Sequence, residues 1–269
     1  MESPIEFGKV WAMTRRDMSR WATYKTQAVT SLISGVLGIL SWGLNATYVN
    51  RPVPQYNTDY ISFLIVGVLI TSLILPVGSG LQNRLSPFTL ETVLMAGIRT
   101  PTFILGTVVW PYTLSVILFI PQIIVAEVYF GAHLSINPLS FILSMFISTL
   151  IIFCLSMIST GFRLVTKTTD PVTWGLAIAA TIFAGVTFPV QHLNDFVPGL
   201  ANVSYFLPQT WIYNIIRLAS LTNASLLDPA IVLAFAEASV FAVVLLPISF
   251  WAFRWGMHRA KKDGTLGHF

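Results

Sequence analysis

Phe103-Ile104-Leu105-Gly106-Thr107-Val108-Val109-Trp110-Pro111-Tyr112-Thr113-Leu114-Ser115-Val116-Ile117-Leu118-Phe119-Ile120-Pro121-Gln122-Ile123-Ile124-Val125-Ala126 carries no charge between Arg99 and Glu127. A helix needs about 20 apolar residues to cross a bilayer, and this interval supplies them. The pattern recurs on both sides of it. Charge-free intervals predict spans at about 28–48, 60–80, 138–162 and 172–188. A further span at about 229–253 holds a single acid, Glu237. Composition agrees. The chain has 269 residues, 55% of them hydrophobic and 10% charged. A soluble globular domain carries roughly 25% charged residues. The expected fold is therefore an all-α integral membrane protein with six transmembrane helices, forming a single domain over 26–269 behind a separate helix at 1–25.

The net charge of +4 does not point to nucleic acid. Cations of a membrane protein mark its cytoplasmic loops. With six spans, Lys9, Arg15, Arg16, Arg20, Lys25, Arg84, Arg99, Arg163, Lys167, Arg254, Arg259, Lys261 and Lys262 share one side, leaving Arg51 and Arg217 on the other. Both termini are expected in the cytoplasm, and the protein in the plasma membrane as a multi-pass chain. The lone cysteine, Cys154, rules out an internal disulfide.

Three stretches outside the spans have structure of their own. In residues 1–25, Phe7, Val10, Trp11, Met18, Trp21 and Ala22 share a helical face. Arg15, Arg16 and Arg20 accompany them, as in a helix lying on the membrane surface with its rings among the headgroups. A soluble helix packed on another domain is the alternative. The second stretch is Arg84 to Pro101. Ser86 suits an N-cap, Pro87 the first helical position, and Gly97 a left-handed C-cap before Pro101. A short amphipathic helix at about 87–96 follows, with Leu90, Val93 and Leu94 on one face and Glu91, Met95 and Arg99 on another. It is read either as a solvated loop or as a docking element for a cytoplasmic partner. The third stretch, about 189–218, is too long and too apolar for a plain loop. Pro189, Pro198 and Pro208 cut it into pieces too short to span. Short helices dipping into the outer leaflet, sheltered by neighbouring spans, are expected, with a packed outer cap as the alternative.

Catalytic chemistry is hard to find. No Gly-x-x-x-x-Gly-Lys-Ser/Thr phosphate loop, His-Glu-x-x-His zinc motif or Gly-x-Ser-x-Gly elbow occurs. The chain is not expected to be an enzyme on its own, nor to hold a cofactor or metal. Glu237, an acid within a span, is either functional or a packing residue.

Two places carry a resemblance. Thr89-Leu90-Glu91-Thr92-Val93-Leu94, with Arg99 and Leu105-Gly106 after it, is similar to the cytoplasmic segment following the second span of type-2 ATP-binding-cassette exporter permeases, the group of daunorubicin-resistance and nodulation-factor exporters. Gly185-Val186-Thr187-Phe188-Pro189 resembles the end of that family's fifth span, and Leu207-Pro208 with Ile215-Ile216-Arg217 its later ending. Phe88, Gly97-Ile98 and Asn194 depart from the pattern. The resemblance implies a complex of two permeases, identical or homologous, with two separate ATPase subunits holding ATP and magnesium. It makes 87–96 a coupling helix, with Pro87, Thr89, Leu90, Glu91, Leu94 and Arg99 docking on the ATPase. It has Trp11, Arg15, Arg16, Arg20 and Trp21 contribute to that joint from the interface helix. It makes the segment carrying Gly185, Phe188, Pro189, Pro198 and Pro208 a re-entrant hairpin capping an export pathway. The implied substrate is amphipathic: a drug, lipid or glycolipid. A membrane-embedded lipid-modifying enzyme, which needs a convergent polar cluster, and an ion-coupled carrier, which needs several intramembrane acids, are the other readings.

Overall fold

A computed structural model describes residues 6–49, 52–84, 97–98, 100–166 and 171–262. The described chain is almost wholly helical. The helices are α1 (Phe7–Thr23), α2 (Lys25–Thr47), α3 (Tyr60–Arg84), α4 (Thr100–Phe130), α5 (Pro138–Thr166), α6 (Pro171–Phe183), α7 (Leu193–Phe196), α8 (Leu200–Ser204), α9 (Pro208–Leu221) and α10 (Pro229–Lys262). A two-residue antiparallel pair, β1 (Pro52–Val53) with β2 (Thr58–Asp59), precedes α3. Its turn closes through Asn57 in the left-handed region, where asparagine is tolerated.

Among the described residues, four helices are long and apolar enough to cross a membrane, over Ala28–Thr47, Thr102–Phe130, Pro138–Thr166 and Pro229–Ala260. Two apolar stretches, Tyr60–Leu73 in α3 and Thr173–Phe183 in α6, are shorter. The chain is an all-α protein of membrane-embedded character. The fifth expected span differs from its sequence reading. The expected span runs on to Phe188, but α6 ends at Phe183 after 13 residues. Gly185 takes a left-handed φ of 72° and Pro189 is extended, so the apolar run leaves the helix before it is used up. The last helix differs in the opposite sense and continues beyond 253 to Lys262.

Packing sets the direction of each helix. Met13 of α1 meets Gly106 near the start of α4, and Trp21 stands edge-on to Trp110 at 6.1 Å. Met13, Phe103, Ile104, Met157, Leu164, Phe253 and Met257 share one cluster there. This α1 end of the bundle therefore gathers the start of α4 and the ends of α5 and α10. At the far end, Ser62 of α3 bonds the loop after α4 through His133, and Ser140 of α5 donates to the Ala224 carbonyl ahead of α10. Helices α3, α5 and α10 thus run from the far end to the α1 end, with α5 and α10 parallel, and α4 runs the other way. The described ends of the chain, in α1 and α10, lie at the same end.

The tightest crossing joins α5 to α10. A Cβ on Gly161 would lie 2.5 Å from the Ala252 carbonyl oxygen, and one on Gly256 would overlap the Gly161 carbonyl. Backbone meets backbone only because both residues are glycine. Elsewhere α5 buries Ser140 and Ser148 and α10 buries Ala238, Ala242, Ser249 and Ala260, while Ser144 turns to the Ile215 carbonyl of α9 and Ser159 to Thr173 of α6. Close packing of this kind supplies helix association where lipid removes the hydrophobic drive.

Candidate functional site

The far end of the bundle holds an arginine with almost no exposure. Arg217, on the last turn but one of α9, is 2% exposed. Helix α9 begins with Pro208 at its first position and buries most of its length against α3, α5 and α10. The polar side of its amphipathic pattern turns into protein. Arg217 Nη1 donates to the Gly185 carbonyl. Nη2 donates to the carbonyls of Val186 at 2.7 Å and Phe63 at 3.4 Å. The guanidinium carbon sits 3.7 Å from the centre of the Phe63 ring and 5.6 Å from that of Tyr213. One side chain therefore ties together α9, the segment leaving α6 and the first turns of α3.

Phenols surround this node. Tyr56 donates to Asn214 Oδ1 at 3.0 Å, Tyr60 to the Thr187 carbonyl at 2.9 Å, and Tyr213 shares a hydrogen bond with Thr71 at 2.7 Å. Burial pushes the Tyr56 phenol up, with the Arg217 charge acting the other way. Burial pulls Arg217 down to about 10, opposed by Tyr56 and Tyr213, so it stays cationic at neutral pH. Gly67 completes the fit. A Cβ there would come within 2.5 Å of Arg217 Nη2 and would also strike the Val186 carbonyl oxygen.

The structure brings part of the expected hairpin to this node. Gly185 is buried and supplies an acceptor; Pro189 is buried and lines the cavity beside Arg217. Phe188 is half-buried between them. Pro208 is buried at the start of α9. Pro198 stands apart, exposed in a turn with Gly199. Between the prolines lie the short helices α7 and α8.

At the α1 end, Trp11, Arg15, Arg16 and Arg20 are exposed and Trp21 is half-buried. The helix packs by a face the apolar pattern does not single out, with Met13, Thr14 and Asp17 buried. Asp17 lies beside Arg16 at 3.3 Å. The apolar face of Phe7, Trp11 and Met18 stays exposed. The segment 87–96, with Pro87, Thr89, Leu90, Glu91 and Leu94, lies outside the described residues, as does Arg99. Gly97 has the expected left-handed φ of 61°, and Ile98 packs against the cluster holding Met13 and Phe103. Glu237 is half-buried on α10.

In the sequence Arg217 stands out as a cation on the sparsely charged side and as the end of the Ile215-Ile216-Arg217 stretch. Its acceptors are main-chain carbonyls, which no side-chain pattern reveals. Compared with protein-family models and with curated proteins, the chain matches none.

Proposed function

We propose that the chain is the permease subunit of an ATP-driven exporter of the type-2 ATP-binding-cassette kind, assembled with a second permease and two separate ATPase chains. The observation that carries this reading is the joint at the α1 end. Helix α1 crosses the start of α4 by Met13 and Trp21, directly beside Gly97-Ile98, where the stretch resembling a coupling helix ends. A partner bound to 87–96 would push on α4 and α1 together. The exposed Phe7, Trp11 and Met18 suit a headgroup layer and leave Arg15 and Arg20 at its edge.

In this reading α2, α3, α4, α5, α6 and α10 are the six spans, with both termini in the cytoplasm of the plasma membrane. The short α6 is completed by the re-entrant segment, which Arg217 anchors to α3. ATP and magnesium act on the partner, and closure of its two subunits carries the coupling helices inward as rigid bodies. An amphipathic drug, lipid or glycolipid then passes between the two permeases.

Glu91→Ala with Arg99→Ala tests the joint. The double variant is expected to insert normally and to retain ATPase binding partly or not at all. Substrate-stimulated ATP hydrolysis should fall by about tenfold, the loss of one or two charge-assisted contacts. Undiminished transport and unchanged capture of an ATPase bearing a phosphate loop would overturn the reading.

A further inference from the structure

The cavity beside Arg217 has a polarity that the tether alone does not explain. It encloses about 160 Å³ between α9, the segment after α6 and the loop before α3. Arg217, Tyr56, Asn214, Trp211, Tyr205 and Gln191 contribute to its wall, and no carboxylate does. A guanidinium has five N–H donors. Three hydrogen bonds go to neutral carbonyls, the Tyr56 hydroxyl is a further neutral partner, and Nε–H is buried with no acceptor. The described ion pairs, Lys9 with Glu6, Arg16 with Asp17 and His192 with Asp195, leave Arg217 without a counter-charge. Carbonyls and rings soften the cost of a buried cation but leave its charge in place.

We infer that this cavity is a binding site for one oxyanion, a phosphate or carboxylate group, which sits against the Arg217 guanidinium in the cavity wall and supplies the missing negative charge. The volume admits such a group and little more. Its mouth is polar and open, since Gln191 and Tyr205 are exposed. Phe206, next in the chain to the mouth residue Tyr205, is 81% exposed, as are Phe196 at 82% and Val197 at 53% in the same connection between α6 and α9. An alkyl chain attached to the oxyanion would leave by the open mouth, where Phe206 follows Tyr205. The oxyanion belongs either to a lipid or lipid-like headgroup or to a free anion. The site does not depend on the exporter reading, because it needs only this chain.

The test uses the full chain purified in an uncharged maltoside detergent, with decyl phosphate and inorganic phosphate as probes and decyl maltoside as the neutral control. Tryptophan fluorescence and the unfolding temperature report binding. Saturable binding of a phosphate probe is expected, weakened at least about tenfold in Arg217→Gln, with Arg217→Lys between the two. Decyl phosphate binding far more tightly than inorganic phosphate assigns the site to a headgroup; equal affinities assign it to a free anion. Should Arg217→Gln fail to fold, Gln191→Trp fills the exposed mouth and leaves the carbonyl bonds of Arg217 untouched. That variant is expected to unfold at the temperature of the parent and to lose the probe. No saturable binding, or binding equal in the parent and in Gln191→Trp, overturns the inference.

Discussion

Arg217 shows how one residue joins parts of the chain that are distant in sequence. Its acceptors lie at Gly185 and Val186, just after α6, and at Phe63 in α3. The node tolerates no added atom on the α3 side, because Gly67 is where α3 lets Nη2 approach. Gly67→Ala is therefore expected to break the bond to Val186 or displace the segment after α6, at a cost of about 2 kcal/mol. Thermal unfolding of the purified chain would register this as a lower midpoint. An unchanged midpoint would mean that the node relaxes freely and that its geometry is not a constraint. The same substitution reads as harmless in sequence, since alanine is the better helix former.

At the scale of elements, α5 and α10 form the stem of the bundle. Their contact rests on Gly161 and Gly256, where backbone meets backbone. Gly256→Leu would force the helices apart by more than a methyl group can be absorbed. The expected result is a loss of at least about 3 kcal/mol, seen as reduced yield of monodisperse protein and a lower unfolding temperature. Gly175, whose Cβ would meet nothing within 4 Å, is the control and should accept alanine without loss. Helix α1 teaches the complementary lesson. Its aromatic stripe was legible at once from the spacing of Phe7, Trp11 and Met18. The face that packs, Met13 with Asp17, was not, because Met13 finds its partner in a gap left by Gly106 on another helix. Span five misled for a local reason. Charge-free length counts residues and cannot see that Gly185 turns the backbone left-handed.

At the scale of the whole molecule, the bundle has two ends of different character. Arginines and lysines collect at the α1 end, while the far end carries tyrosines, the short helices and one buried arginine. Cysteine labelling in intact cells reads this polarity. Cysteines placed at Asn57 and Asn223 are expected to react with a membrane-impermeant maleimide, and those at Arg15 and Lys262 only after permeabilisation. Cys154 is buried and provides a quiet background. Labelling of Arg15→Cys from outside would reverse the orientation and remove the cytoplasmic joint on which the exporter reading stands.

Hydropathy and charge bias are summed over many residues, so they survive without any knowledge of contacts. That is why the all-α membrane character, the helix starts at Pro138 and Pro229 and the proline-cut segment near 189–208 could be read from the chain alone. Which helices touch, and where polar groups find partners, depends on pairings between residues far apart in sequence. The glycine crossing at 161 and 256, the seat of α1 on α4, and the carbonyl cage around Arg217 belong to that class. A carbonyl acceptor looks the same at every position of a sequence, and only folding selects the three that face Arg217.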